Sequence, residues 1–417
     1  MKKKLVDFVT IRIFSPPQQS LGAILFDGQT CNTTLMKCNH LITLTWRANP
    51  IIISNFMNKK IIATQPSLAP FDEVNILMKE IWSSGIMTHN GPLVQRFENL
   101  FSDLIGVPST VTCVNGTIAL QMAIRALKLK GEIITTPFTF IATASAIIWE
   151  HCIPVFVDID PETLNIDATK IEEKITYHTV GIIPVHVFGN ACDIDDIGDI
   201  AKRHNLHVIY DAAHAVGVNY KGKSVLNYGD ISCTSFNANK ILNTAEGGAC
   251  FTQDTVLDQK LRRIRVFGCE NFSDVIEDGT NAKMTEIHAA VGIANLKYLD
   301  RFLADRKKKY FYYKDRLSEV SAIRFQRITE DCNYSYMPII FKTEENLLKA
   351  KRALSEEGIS SRRYFYPSLN TYSKLFPYVE CPESEKIAVC CLCLPIYYAL
   401  SYTDMDKIIL TIKNSLV

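Results

Sequence analysis

The sequence has 417 residues, 47% of them apolar and 21% charged, with a formal net charge of +1. That length accommodates two structural units and a large core. The near-neutral balance excludes the basic footprint expected of nucleic-acid or anionic-membrane binding, and no apolar run reaches the ~18–20 residues that span a bilayer.

Residues 1–56 show no sustained period. MKKK followed by LVDFVTIRIF has the charged start of a signal peptide, but Asp7 and Arg12 break the apolar part and no clean small-residue cleavage site follows. The segment is expected to be an extension outside the fold, either disordered or arising from an upstream start choice. MNKKIIATQPSLAPF, from Met57, reads as the opening of a domain.

A regular pattern follows. FDEVNILMKEIWSSG has helical spacing and stops at a glycine. GPLVQRFENLFSDLIG predicts a second amphipathic helix with Leu93, Phe97, Leu100, Phe101 and Leu104 on its apolar face. Apolar runs such as STVTCV, EIITTPF, PVFVDID, GIIPVHVFG, HVIYDAA and ISCTSF then alternate with helical segments. That alternation predicts an α/β domain with a mostly parallel sheet covered on both faces, over residues 57–299. A small α+β domain is expected over 300–417. It opens with a helix whose basic run at 306–309 reads as a solvated face.

Thirteen cysteines are present, but only Cys390 and Cys393 have CxxC spacing. They lie in AVCCLCLPI, which reads as a buried strand, and no second pair completes a zinc framework. Buried, reduced thiols are expected, which points to the cytoplasm and to no metal site.

No GxGxxG follows the first strand; GVNYKGKS at 217–224 fits GxxxxGK[ST] by letter, but it lies in the ribbon-like stretch NYKGKSVLNYGD and not between a strand and a helix, so the usual nucleotide signatures lack their context. Chemistry gathers instead at three places. VIYDAAHA puts Asp211 and His214 at the end of an apolar strand, where α/β sheets bind ligands; a helix N-cap is the plain reading of Asp211. VNGTIAL puts Asn115, Gly116 and Thr117 at a strand-to-helix junction suited to a phosphate, although many helices begin this way. SFNANKILNTAEGGA sets Lys240 among small and amide residues, with Ser235 as a second phosphate donor. Phe140 in FTFIATAS offers an aromatic face, or a core residue. An amine, a carboxylate and a phosphate cradle together suit pyridoxal phosphate.

The chain from Asn58 to about Lys413 resembles the sugar aminotransferases of the DegT/DnrJ/StrS family. The motifs that carry the resemblance are SSGIMTHNGPLVQRFE, VNGTIAL, PFTFIATASA, PVFVDIDPETLNID, PVHVFG, YDAAHAVG, SFNANKILNTAEGGA, GTNAKM and SRRYFYPSL. The resemblance implies a fold-type I pyridoxal-phosphate transferase: a large domain with a mainly parallel seven-stranded sheet, a small C-terminal domain, and a homodimer with shared active sites. It implies Lys240 as the Schiff-base lysine and Asp211 as the partner of the ring nitrogen. His214 falls at a position, often glutamine, against the ring face or its 3-hydroxyl. Phe140 matches the stacking aromatic, and Gly116, Thr117 and Ser235 the phosphate cradle. Asn281 matches a residue that reaches the partner subunit's cofactor. The chain departs from the family's SFHATK at Asn237 and Asn239, and has Thr136-Pro137 in place of proline-serine.

The amino donor implied is L-glutamate and the acceptor a nucleotide-linked keto-deoxysugar. The lysine stretch is more similar to those of members that aminate the 4-keto group of dTDP-4-keto-6-deoxy-D-glucose, serving O-antigen synthesis, than to those with PGK that act on 3-keto sugars. C3 chemistry or a UDP or GDP carrier is the rival. A non-catalytic regulatory scaffold would be expected to lack Lys240 or Asp211. Arg362 and Arg363 are candidates for a diphosphate or carboxylate, against a solvated pair. His89 and Asn90 are candidates for the sugar pocket, against a plain turn. His186 is either near the cofactor or a core histidine.

Overall fold

Seven short apolar runs form one sheet: β1 (Thr110–Cys113), β2 (Glu132–Thr135), β3 (Ile153–Phe156), β4 (Thr179–Ile183), β5 (His207–Asp211), β6 (Ile231–Ser235) and β7 (Gly248–Phe251). A computed structural model describes residues 60–271 and 274–416 in full. Before residue 60 it describes only the backbone of an antiparallel sheet, Leu25–Asp27, Thr30–Lys37 and His40–Trp46. The rest of the expected extension over 1–56 lies outside the described residues. The chain divides into two units, Met1–Lys59 and Lys60–Val417.

The strand order is β1-β7-β6-β5-β4-β2-β3. Only β7 runs antiparallel to its neighbours; the remaining pairs are parallel. Parallel neighbours require crossovers. Those around the site are α3 (Gly116–Ala126), α4 (Ile141–Trp149) and α5 (Ile194–His204), preceded by α1 (Phe71–Ser84) and α2 (Pro92–Ile105) and followed by α6 (Thr255–Ile264) and α7 (Glu286–Leu296). Side chains alternate between two cores, as period-two strands buried on both faces must. Ile133, Ile183, Ile209 and Cys250 pack with α3 and α4, while Ile134, Ile182, Tyr210 and Phe251 pack with α1, α2 and α5.

The C-terminal part has its own antiparallel sheet of β8 (Ile323–Phe325), β9 (Met337–Phe341) and β10 (Cys391–Leu394). Packed with it in one core are residues of α8 (Leu299–Leu317), α9 (Glu344–Glu356) and α11 (Tyr402–Ser415). The short helix α10 (Pro382–Cys390) leads straight into β10.

Three sequence expectations need correction. AVCCLCLPI is not one strand: its first residues end α10, and the strand begins at Cys391. Leu100 and Leu104 are exposed in this chain; α2 buries Leu93, Val94, Phe97 and Phe101 instead, a stripe turned toward its N-terminal half. The run at 306–309 is not a solvated face. Arg306 and Lys309 are each only 3% exposed, and only Lys307 and Lys308 face water. The cause is helical spacing: Phe302, Arg306, Lys309, Tyr313 and Leu317 share one face, and backbone carbonyls at its inner side accept from both cations.

The cysteines among the described residues are all free, and all but Cys269 are buried. Among those residues no three His, Cys, Asp or Glu side chains cluster to hold a metal. Among the described residues no helix is long and apolar enough to cross a membrane.

Candidate active site

A cavity of about 410 Å³ opens where the carboxyl ends of β5 and β6 meet the start of α3. Its wall includes Gly116, Thr117, Phe140, Asp211, His214, Ser235, Lys240 and Arg362. Asn115 caps α3, its side-chain oxygen accepting from Ile118 N at 2.9 Å. The N–H groups of Gly116 and Thr117 then have no acceptor within the helix. Gly116 is required here because a Cβ on it would sit 2.8 Å from Ser235 Cβ. Gly248 is required because its Cβ would sit 2.4 Å from the Asn115 carbonyl carbon. Two glycines thus let the β6–β7 loop close onto the helix start and leave a cradle of N–H groups and hydroxyls, which fits a phosphate.

The loop leaving β6 is folded back by Phe236 N donating to Gly247 O at 2.7 Å and Thr244 N to Phe236 O at 2.9 Å. Lys240 sits at its tip. Its ammonium donates to the Tyr336 phenol oxygen at 3.4 Å, and burial lowers the amine to about 8. Asn237 and Asn239, the departures from the family motif, hold this loop. Asn237 Nδ2 donates to Glu246 at 2.8 Å, and the Asn237 carbonyl accepts from Lys240 N at 2.8 Å. Asn239 Oδ1 accepts from the Thr64 hydroxyl at 3.0 Å.

Asp211 ends β5. Its carboxylate accepts from the Thr143 hydroxyl at 2.7 Å and from Ala213 N at 3.1 Å. Burial raises its pKa, with those two donors and Lys240 opposing. No cation touches it among the described residues, so a bound positive charge would find an unpaired carboxylate. His214 Nδ1 accepts from Phe188 N at 3.2 Å, which places its proton on Nε2. Burial, and secondarily Lys240, hold the ring neutral by lowering its pKa well below the ordinary value. Phe140 stands at the start of α4, exposed, and offers an aromatic face in the cavity wall. Donor cradle, amine, buried carboxylate and aromatic face together fit pyridoxal phosphate.

Of the remaining candidates, all but Arg362 lie outside this wall. His186 is a core residue: Nδ1 accepts from Cys192 N at 3.0 Å, the ring stacks on Tyr210 at 4.9 Å, and burial lowers its pKa to about 3. His89 and Asn90 form a left-handed turn before α2, and Asn90 Oδ1 accepts from Arg265 at 3.1 Å. Asn281 is exposed and accepts from Lys283. The arginine pair splits. Arg362 faces the cavity and donates to the Tyr364 hydroxyl at 3.0 Å. Arg363 donates to Glu344 at 2.7 Å and Val389 O at 2.9 Å, and stacks on Tyr366.

Tyr336 and Tyr364 also line the cavity and are absent from the sequence reading. Tyr364 lies in SRRYFYPSL, a motif already singled out. For Tyr336, in the loop just before β9 of the other sheet, no local signal exists.

The sequence pattern of the DegT/DnrJ/EryC1/StrS aminotransferase family matches residues 72–413. A dTDP-4-amino-4,6-dideoxy-D-glucose transaminase of Shigella dysenteriae is 40% identical over 368 residues, covering 86% of this chain and 100% of the relative. A GDP-perosamine synthase of Caulobacter vibrioides is 34% identical over 362 residues, covering 83% of this chain and 95% of the relative. The crystal structure of DesI with its TDP-sugar product superposes with a TM-score of 0.82 at 28% identity, over 85% of this chain and 93% of that one. The chain therefore belongs to the DegT/DnrJ/EryC1/StrS aminotransferases, pyridoxal-phosphate-dependent enzymes that aminate nucleotide sugars.

Proposed function

We propose that this enzyme transfers the amino group of L-glutamate to C4 of dTDP-4-keto-6-deoxy-D-glucose, giving dTDP-4-amino-4,6-dideoxy-D-glucose for O-antigen polysaccharide. The observation that carries this reading is the 40% identity along the full length of a relative with that product. A GDP-linked keto-sugar is the second reading, favoured by the 34% identity to a GDP-perosamine synthase.

In this reading Gly116, Thr117 and Ser235 hold the cofactor phosphate, Phe140 and His214 flank its ring, and Asp211 keeps the ring nitrogen protonated. Pyridoxal phosphate, when bound, supplies an electron sink for the carbanion. Lys240 moves the proton, a role suited to an amine near 8, which exchanges protons readily at neutral pH. Arg362 is the better placed arginine for a diphosphate or carboxylate. Asn281, exposed and away from the cavity, suits a homodimer in which each subunit completes the other's site. Buried reduced thiols suit the cytoplasm.

The test is to incubate the enzyme with glutamate and dTDP-4-keto-6-deoxyglucose and locate the new C–N bond by NMR. Amination at C4 is expected. Amination at C3, or turnover of a GDP- or UDP-linked keto-sugar alone, contradicts the reading.

A further inference from the structure

Tyr336 immediately precedes β9 of the small sheet, and its ring fills a wall built from both parts of the 60–417 unit. It packs against His214 at 4.6 Å, Phe188 at 5.3 Å and Tyr364 at 5.9 Å. A phenylalanine would fill that space equally well. The hydroxyl adds one thing: it meets the Lys240 amine at 3.4 Å. Behind it, buried Arg306 donates to the carbonyls of Ser335 and Ile396, and so fixes the backbone immediately before Tyr336.

We propose that the Tyr336 phenol is the hydrogen-bond partner of the free Lys240 amine, fixing the amine's direction while it takes up and releases a proton. A hydroxyl suits this because it accepts from the ammonium and donates to the neutral amine. A carboxylate at the same place would favour the ammonium and resist the exchange. Burial raises the phenol above its ordinary pKa, with Arg306 and Arg362 opposing, so the hydroxyl keeps its own hydrogen. The proton that moves is therefore carried by Lys240 alone. The other ionisable groups toward Lys240 are Asp211, neutral His214 and Tyr364, with Glu246 and Arg362 also in the wall.

This inference rests on Lys240 as the cofactor's attachment point. Wild-type holoenzyme tests that reading first, by its visible absorbance and the loss of that absorbance in Lys240→Ala. The inference itself is tested with Tyr336→Phe. Stripped of cofactor, wild type and variant are mixed with pyridoxal phosphate across pH, and the rate at which visible absorbance appears is recorded. The rate rises as the amine loses its proton, with a wild-type midpoint near about 8.

The charge-assisted bond to the ammonium is the stronger of the two. Removing the hydroxyl should therefore lower the midpoint, and the plateau rate should fall about tenfold. The glutamate half-reaction should slow by about the same factor, with KM changed less than about twofold. A midpoint that stays or rises, with an unchanged plateau, overturns the inference while leaving the Lys240 reading intact. Should Tyr336→Phe not fold, Tyr336→His and Tyr336→Leu ask the same question. Histidine keeps a donor and acceptor, so its midpoint should lie nearer wild type; equal midpoints overturn the inference.

Discussion

Lys309 in the C-terminal part and Lys240 in the cavity loop are both withdrawn from bulk water, but their surroundings differ. Lys309 donates to Asp305 at 2.7 Å and to the carbonyls of Tyr397 and Tyr398 at 3.0 and 2.6 Å. All three ammonium hydrogens are used, and the side chain acts as a bolt between α8 and the segment after β10. Among the described residues Lys240 has one hydrogen-bond partner, at 3.4 Å, and open space beside it. Burial lowers the pKa of both. If Lys240 is the reactive amine of the proposed function, the number of acceptors that hold each lysine, more than its burial, separates it from the structural Lys309.

Exchanging the side chains should break the comparison in opposite ways. Lys240→Ala should abolish transamination, a loss of about 10³-fold or more in a steady-state assay. The cofactor-free protein should behave differently with Lys240→Met. The folded-state value near 8 lies below the ordinary 10.5, so below pH 8 the folded protein bears the full cost of a buried ammonium. At pH 7 the Met variant should therefore melt at or above wild type, and wild type should gain on it as pH rises from 8 to 10.5. A Met variant that melts well below wild type at pH 7 contradicts this.

Lys309→Met reverses the pattern. It leaves Asp305 and two carbonyls without their donor, so denaturant unfolding should show a loss of about 2–4 kcal/mol with kcat little changed. The smallest effect is expected at the family departures. Asn237→Ala loses two exposed contacts, one to Glu246 and one from Asn239 N, which together should cost no more than about 1 kcal/mol. A larger cost, or a large loss of cofactor affinity, would show that the asparagines do more than hold the loop.

The same contrast explains what the sequence made legible. The strands and helices of the large sheet follow from apolar runs alternating with amphipathic ones, and Gly116, Asp211, Ser235 and Lys240 lie at run ends, where short-range pattern is informative. Leu100 and Leu104 belong to the apolar face the pattern predicts but not to the narrower stripe that α2 buries. The charge of the run at 306–309 suggests a solvated face, whereas the spacing of Arg306 and Lys309 with Phe302 and Tyr313 marks the buried one. The break within AVCCLCLPI was hidden because one apolar run serves a helix end and a strand in turn. Tyr336 was beyond reach, since its meeting with Lys240 depends on how two distant segments pack.

The central claim is that Lys240 is where the cofactor attaches. Borohydride reduction of the holoenzyme followed by peptide mapping tests it most directly. The account predicts a pyridoxyl group on the peptide containing Lys240 and on no other. Label on a different lysine, or none in protein that retains bound cofactor, would contradict it.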